Sequence, residues 1–195
     1  MFYLEFNLAK MVQYRFLSCF VILFLMTYCK IDRKKRIDRD KFTFTYTADS
    51  YLFFKNVRQI YYDFQDLPKA RWHAFRHSDR YKGDEMPSIN PVIVIDWFNE
   101  QANLLIEPNS VLQAEDKLVV RERNPTSGRW YEYSLTERGR ENMLEFATKI
   151  YEGIMAEHEV YVVFRGRNHP LFHSPEDADV FRMVLADYFR LCRII

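Results

Sequence analysis

Apolar positions along residues 42–195 recur first with the spacing of β-strands and later with that of helices. Residues 91–98, PVIVIDWF, are apolar on both faces of an extended chain, which is typical of a strand in the centre of a sheet. We therefore expect Trp97 to be a core residue. Alternating or β-branched runs predict further strands at 42–47, 59–64, 71–77, 102–107, 117–123, 129–135 and 159–164.

Helical spacing predicts three helices around these strands. A short helix lies near residue 52, with Asp49 or Ser50 as its N-cap, and a longer one covers residues 137–157. The last helix begins with Ser174 as N-cap and Pro175 at the first helical position.

Turn residues indicate how the strands connect. NPTSG at 124–128 predicts a hairpin, and successive strands without intervening helices favour an antiparallel meander over βαβ units. The expected fold is α+β: an antiparallel, curved β-sheet meander packed by two C-terminal helices and one short N-terminal helix.

The region before this domain contains a short apolar run. Residues 16–29 carry no charge, but 14 positions fall short of the roughly 17–20 that a membrane-spanning helix needs. Three interpretations remain open. The run is a marginal membrane anchor, a lipoprotein or secretory signal with Cys29 as the lipidated residue, or translated leader before a true start at Met26. Tyr28 opposes the lipoprotein signal, because cleavage requires a small residue there.

A basic run follows the apolar segment. Residues 30–41 hold seven basic and three acidic side chains, a net charge of +4, against +1 for residues 1–29. By the positive-inside rule, an anchored domain would stay on the cytoplasmic side. A lipoprotein would instead face the periplasm or exterior, and a start at Met26 would give a soluble cytoplasmic protein. Five residues form a cluster that is either a lipid-headgroup contact or a solvated linker: Lys30, Arg33, Lys34, Lys35 and Arg36.

The chain thus divides into residues 1–29, a basic linker at 30–41 and one domain at 42–195. That domain carries a net charge of −4, so we do not expect it to bind nucleic acid. Its only cysteine is Cys192, on the apolar face of the last helix, which excludes an intradomain disulfide.

Two pairs of histidines are candidate metal ligands. His73 and His77 share one face of a predicted strand, but four residues span about 13 Å at roughly 3.3 Å per residue, too far for one zinc ion. His169 and His173 have a better spacing because a loop can bring them together, although no further ligand lies at motif spacing. We expect neither a metal nor any other cofactor.

A weak catalytic pattern remains. Asp96 lies on the predicted central strand, and Glu115 and Lys117 give a Glu-x-Lys pattern at a later predicted strand, which Lys117 opens. This triplet resembles the motif of the PD-(D/E)xK nucleases. The resemblance covers three residues and implies a metal held by two acids, with the lysine stabilising developing charge.

Aromatic residues make up 17% of the chain and are interleaved with charged residues in YLFF, IYYDF and RWYEY. The sequence favours a non-catalytic binding or scaffold module associated with a membrane through residues 16–29, with a protein partner. The alternative is a metal-dependent hydrolase or nuclease using Asp96, Glu115 and Lys117. An enzyme should gather acids or histidines in one cleft, whereas a binding module should expose an aromatic patch.

Overall fold

The predicted α+β class is confirmed by a computed structural model, which describes residues 36–195. Within this range the α-helices are α1 Ala48–Phe53, α2 Arg140–Met155 and α3 Pro175–Leu191. The strands, in chain order, are β1 Tyr62–Leu67, β2 Trp72–His77, β3 Ile89–Asp96, β4 Gln101–Pro108, β5 Leu118–Arg123, β6 Trp130–Leu135, β7 Glu159–Phe164 and β8 Arg167–Pro170.

All strand pairs are antiparallel, and the strands divide into two four-stranded sheets. The first sheet is a meander in the order β1-β2-β3-β4. The second has the order β6-β5-β7-β8, and α2 connects β6 to β7. The predicted hairpin at 124–128 joins β5 to β6, with Gly128 in the left-handed region at φ 66°.

One hydrophobic core is built from the inner faces of both sheets and the two long helices. Strand alternation directs every second residue of β3 and β4 inward, where α3 packs mainly on β3 and α2 mainly on β4. Complete burial of such side chains contributes roughly 1.5–3 kcal/mol each. Fully enclosed members include Ile93, Ile95, Leu104, Val120, Leu144, Ile150, Val162, Val184 and Leu185.

Helix α3 begins as the sequence predicts. Ser174 is the N-cap, its Oγ accepts a hydrogen bond from the Asp177 amide at 3.3 Å, and the Asp177 carboxylate accepts one from the Ser174 amide at 3.0 Å. This reciprocal capping satisfies two amides that the helix itself leaves unpaired. Within residues 36–195, no helix has both the length and the apolar content needed to cross a bilayer.

The N-cap of helix α1 is Thr47, two positions before Asp49, so the predicted N-cap at Asp49 or Ser50 is wrong. Thr47 accepts the Ser50 amide, and Ser50 completes the capping box. The helix continues through a π-helical turn at Phe54–Arg58, which places Arg58 beside α3. There the Arg58 Nε donates to both oxygens of the buried Asp187, at 2.8 and 2.9 Å, and Tyr62 donates to the same carboxylate at 2.7 Å.

The segment before α1 lies along α2. The Ile37 amide donates to Glu152 Oε1 at 2.8 Å, and Arg39 pairs with Glu152 and Glu145. Farther along, Thr45 forms a single β-bridge to Gln101. The predicted strand at 42–47 is therefore wrong as a regular strand, although its aromatic residues do pack against the core: Phe42, Phe44 and Tyr46.

Two other expectations differ from the structure. Trp97 is not a core residue: 47% of it is exposed, because β3 ends at Asp96 and the chain turns. The HPLFH region, treated as loop in the sequence, contributes the short strand β8. Its pairing with β7 satisfies backbone groups that a loop would leave to solvent.

Candidate functional site

The turns at 68–71 and 97–100 lie side by side at one end of the first sheet. Their proximity follows from the register of β2 and β3, which pairs Trp72 with Asp96. The guanidinium carbon of Arg71 lies 4.2 Å from the centre of the Phe98 ring and joins the two turns through a cation–π contact. Arg71 adopts φ 59°.

Aromatic rings extend from these turns toward the interior. The His73 ring lies 5.1 Å from Phe64 and 6.3 Å from Trp97, and Trp97 in turn lies 6.4 Å from Phe98. We call these four residues together with Arg71 the tip surface. Exposure is high for its three largest apolar members, at 50% for Phe64, 47% for Trp97 and 61% for Phe98.

The tip surface is anchored in the core by a chain of ring contacts. Phe64 lies 5.4 Å from Phe75, and Phe75 lies 5.2 Å from Phe54 in an edge-to-face arrangement. Phe75 and Phe54 are both buried. Rings held on one side by core packing lose less conformational freedom on binding than free side chains do.

Asp96 explains why the apolar run of β3 leaves the sheet. Its Oδ1 accepts the amides of Phe98 and Asn99 at 3.1 and 3.0 Å, and its Oδ2 accepts the Asn99 side chain at 2.7 Å. Hydrogen bonds from Asn99 lower the pKa of the Asp96 carboxyl. This turn ends the strand and directs Trp97 and Phe98 to the surface.

The nuclease-like triplet is divided between the two sheets. Asp96 ends β3 in the first sheet and is engaged by its own turn, whereas Glu115 and Lys117 precede β5 in the second. The Glu115 carbonyl accepts a hydrogen bond from Arg138 at 3.2 Å, and Lys117 is exposed. Across residues 36–195 no group of three His, Cys, Asp or Glu side chains is arranged to hold a metal ion.

The first histidine pair lies on β2, as predicted. His73 belongs to the tip surface, and its Nε2 lies 3.6 Å from Asp66. His77 is buried, its Nδ1 accepts the Asp79 amide at 3.2 Å, and burial lowers its pKa. The two side chains therefore lie in different environments, His73 at the tip surface and His77 in the interior.

The second pair is divided between two elements. His169 lies on β8, where its ring contacts Phe164 at 6.1 Å. His173 precedes α3, its amide donates to Asp177 at 3.2 Å, and its ring lies 4.1 Å from Tyr81.

The candidate lipidation residue and most of the basic cluster lie before Arg36. Cys29, Lys30, Arg33, Lys34 and Lys35 lie outside the described residues, as does the apolar run 16–29. The last member of the basic cluster, Arg36, is exposed. Cys192 is buried as predicted, and burial raises its pKa to about 12, which disfavours the reactive thiolate.

A buried polar network beneath the second sheet was not predicted. Glu122 of β5 accepts hydrogen bonds from Tyr133 and from His158 Nδ1, the latter at 3.0 Å. The other His158 nitrogen lies 3.2 Å from Asn124 Nδ2. Gly153 of α2 leaves space for the Glu122 carboxylate.

Every polar side-chain atom of Glu122 and His158 thus has a side-chain partner within the domain. The network therefore has a structural role. One sequence signal could have located it. Glu122 continues the inward alternation of Leu118 and Val120 along β5, and a charged residue at an inward position requires partners.

Comparisons of this chain with protein-family models, with curated proteins and with solved structures found no match. The tip surface is therefore interpreted from its own geometry. It combines three exposed apolar rings, a histidine and an arginine in one connected cluster on a rigid base.

Proposed function

We propose that the domain is a non-catalytic binding module that engages a protein partner through the tip surface. The observation that supports this most is the exposure of Trp97 and Phe98 beside Arg71. Tryptophan and arginine are enriched among the residues that dominate binding energy in protein interfaces. Exposure of connected apolar rings to water is also unfavourable unless a partner covers them.

We further propose that the module is attached to a membrane through residues 16–29, with the domain on the cytoplasmic side. The path of the first described residues is consistent with this. Ile37 is bonded to Glu152, near the end of α2, whereas Arg140 at the helix start lies 3.3 Å from Gln101, beside the tip turns. Twelve helical residues cover about 18 Å, so the chain enters the domain well away from the tip surface.

Site-specific photo-crosslinking in cells would test the partner. A photoreactive residue at position 97 of the full chain should give a discrete protein adduct, and Phe98→Ala should weaken it. The control position is Ile60, which is 74% exposed and lies outside the tip surface. Equal adducts at positions 97 and 60 would contradict the proposal, as would vesicle binding that depends on Trp97.

Membrane attachment needs a separate test. The full chain should fractionate with membranes, and a chain that lacks residues 1–29 should not. A reporter that is active only when exported, fused after Ile195, should stay inactive. Strong reporter activity would reverse the proposed orientation and favour the lipoprotein interpretation. The mass of the mature chain would then show whether Cys29 is lipidated.

A further inference from the structure

The two sheets of the described domain end in four edge strands, and three of these are protected against pairing with another chain. In the first sheet, β1 carries Asp63 and Asp66, and the segment before α1 covers the start of β4, where the Ala102 amide donates to the Phe44 carbonyl at 2.7 Å. In the second sheet, β8 has only four residues and ends in Pro170. Charges, covering segments, short length and proline are the usual protections of a sheet edge.

The remaining edge strand, β6, lacks these protections. It has six residues, WYEYSL, with no proline and one charged side chain, Glu132. The Glu132 carboxylate accepts a hydrogen bond from Arg121 of the neighbouring strand at 2.7 Å, so this charge is paired within the sheet. Among residues 36–195, only β5 pairs with β6.

The antiparallel register shows which main-chain groups of β6 lie at the free edge. The Asn124 amide donates to the Arg129 carbonyl at 2.9 Å, which makes these two residues a hydrogen-bonded pair. Hydrogen-bonded and non-hydrogen-bonded pairs alternate along an antiparallel ladder. The N–H and C=O groups of Trp130, Glu132 and Ser134 therefore point away from β5. An extended chain is the ligand that matches such a row of alternating donors and acceptors.

Grooves for side chains border both faces of this strand. On the inner side, a groove of about 320 Å³ lies between β6 and α2, and its lining includes Tyr133, Asn142 and Lys149. On the outer side, a groove of about 320 Å³ includes Trp130 and Glu132, and Trp130 is 49% exposed. Side chains of a strand alternate between the two faces of its sheet. A strand added to β6 would thus direct polar side chains toward α2 and an apolar one toward Trp130.

We propose that an extended segment of a protein partner binds along β6 as an added strand of the second sheet. Main-chain hydrogen bonds supply affinity in this mode of recognition, and grooves for alternate side chains supply selectivity. Because β6 and the tip surface belong to different sheets, this inference does not depend on the proposed function.

The position of α2 favours a single segment over a second copy of the domain. The helix lies close to β6, with the Phe146 ring 5.6 Å from the Tyr133 ring. Full antiparallel pairing of β6 with its counterpart in a second copy would bring a second α2 over the neighbouring strand, about 4.8 Å away. Packed helices keep about 8–10 Å between their axes. An extended segment brings no helix and avoids this conflict.

Selection from a displayed library of randomised ten-residue peptides on the immobilised full chain would test the proposal. N-methylation of alternate residues along one edge of a selected peptide should abolish binding, and methylation along its other edge should not. Ser134→Pro should lower the affinity of selected peptides by about tenfold, because it removes one main-chain donor. The fold tolerates this change because proline is accepted at edge positions whose N–H faces outward.

Asp66→Pro is the matched control, because it places proline at the same kind of position on the edge strand β1. The Ser78 amide donates to the Tyr61 carbonyl at 2.9 Å, so by alternation the N–H of Asp66 also points away from the neighbouring strand. This variant should leave the affinity unchanged. Unchanged affinity in Ser134→Pro, an equal loss in Asp66→Pro, or absence of any selected peptide would overturn the proposal.

Two measurements on the unmodified chain complete the test. Amide hydrogen exchange of the full chain with a selected peptide should slow at residues 130, 132 and 134 more than at residues 62, 64 and 66. Equal slowing at both edges would contradict binding along β6. Light scattering of the full chain in detergent should show no dimer that Ser134→Pro dissociates. Such a dimer would mean that a second copy, and not a partner segment, occupies this edge.

Discussion

The two sheets share strand number and antiparallel pairing, yet they differ in what their outer faces present. In the first sheet, the outer face carries a small apolar cluster of three buried residues, Ala74, Val92 and Val94. Arg76 crosses this face to reach Glu107 at 2.8 Å and Gln65 at 2.8 Å. Long polar side chains thus cover this apolar cluster, and the exposed rings are confined to the end of the sheet where the turns at 68–71 and 97–100 lie.

The second sheet has the reverse arrangement. Two of its rings, Trp130 and Tyr161, lie on the outer face on either side of β5, and its polar network lies inside, against α2. The same backbone architecture can thus expose aromatic side chains at its turn end or on its outer face.

The largest effect should come from removing the ring that anchors the tip surface. Phe75→Ala should lower the free energy of unfolding by about 3–5 kcal/mol, because Phe75 is 2% exposed and its loss leaves a cavity. Trp97→Ala should cost less than about 1 kcal/mol, as surface substitutions do. Denaturant midpoints of residues 36–195 would measure both. A larger loss for Trp97→Ala would restore the original expectation that it is a core residue.

An intermediate effect should follow from Gly153→Ala, which tests the interior of the second sheet. A Cβ at this position would lie 2.7 Å from Glu122 Oε2, and the carboxylate is held by Tyr133 and His158. Overpacking of this kind costs about 1–3 kcal/mol, which outweighs the gain of up to about 1 kcal/mol in helix propensity.

The Glu122→Ala background supplies the control for this substitution, because it removes the side chain that Gly153 accommodates. There, Gly153→Ala should be neutral or stabilising. An unchanged cost in that background would mean that Gly153 is required for another reason. Chemical denaturation of the two single variants and the double variant completes the cycle.

The smallest effect concerns pH and distinguishes the two sheets again. His77 of the first sheet has a pKa lowered by burial, so the unfolded chain binds a proton more readily than the folded one. Its contribution to stability is complete above its unfolded pKa of about 6.5 and is lost as the pH falls toward the folded value.

Unfolding measured between pH 7 and pH 5 would test this. The wild-type domain should lose stability over that window. His77→Phe should show a shallower loss because phenylalanine binds no proton, and it keeps a ring beside Tyr61 and Tyr62. Parallel pH profiles for the two proteins would show that other groups cause the change.

Local signals predicted the elements that local interactions form. The cap of α3 involves residues three apart, Ser174 and Asp177, and the hairpin at 124–128 depends on turn residues within five positions. Both were therefore readable in the sequence. The division into two sheets was not, because pairing between β5 and β7 joins residues separated by α2.

The candidate sites show the same limit. Trp97 was assigned to the core because the apolar run continues past Asp96, but three hydrogen bonds to that carboxylate end the strand first. Asp96 resembled a nuclease acid because it lies within the predicted central strand, whereas in the structure it ends β3 and forms a turn. The exposure of Trp130 depends on register, which the sequence alone leaves open by one residue.

The contact between Gly153 and Glu122 also has a consequence for ancestry. A larger residue at 153 requires a shorter one at 122, so the two positions should change together in any descendant of the same ancestor. Neither position is informative alone, since glycine and glutamate are common. As a pair 31 positions apart, they give a fingerprint by which distant relatives of this chain could be recognised even where the rest of the sequence has diverged.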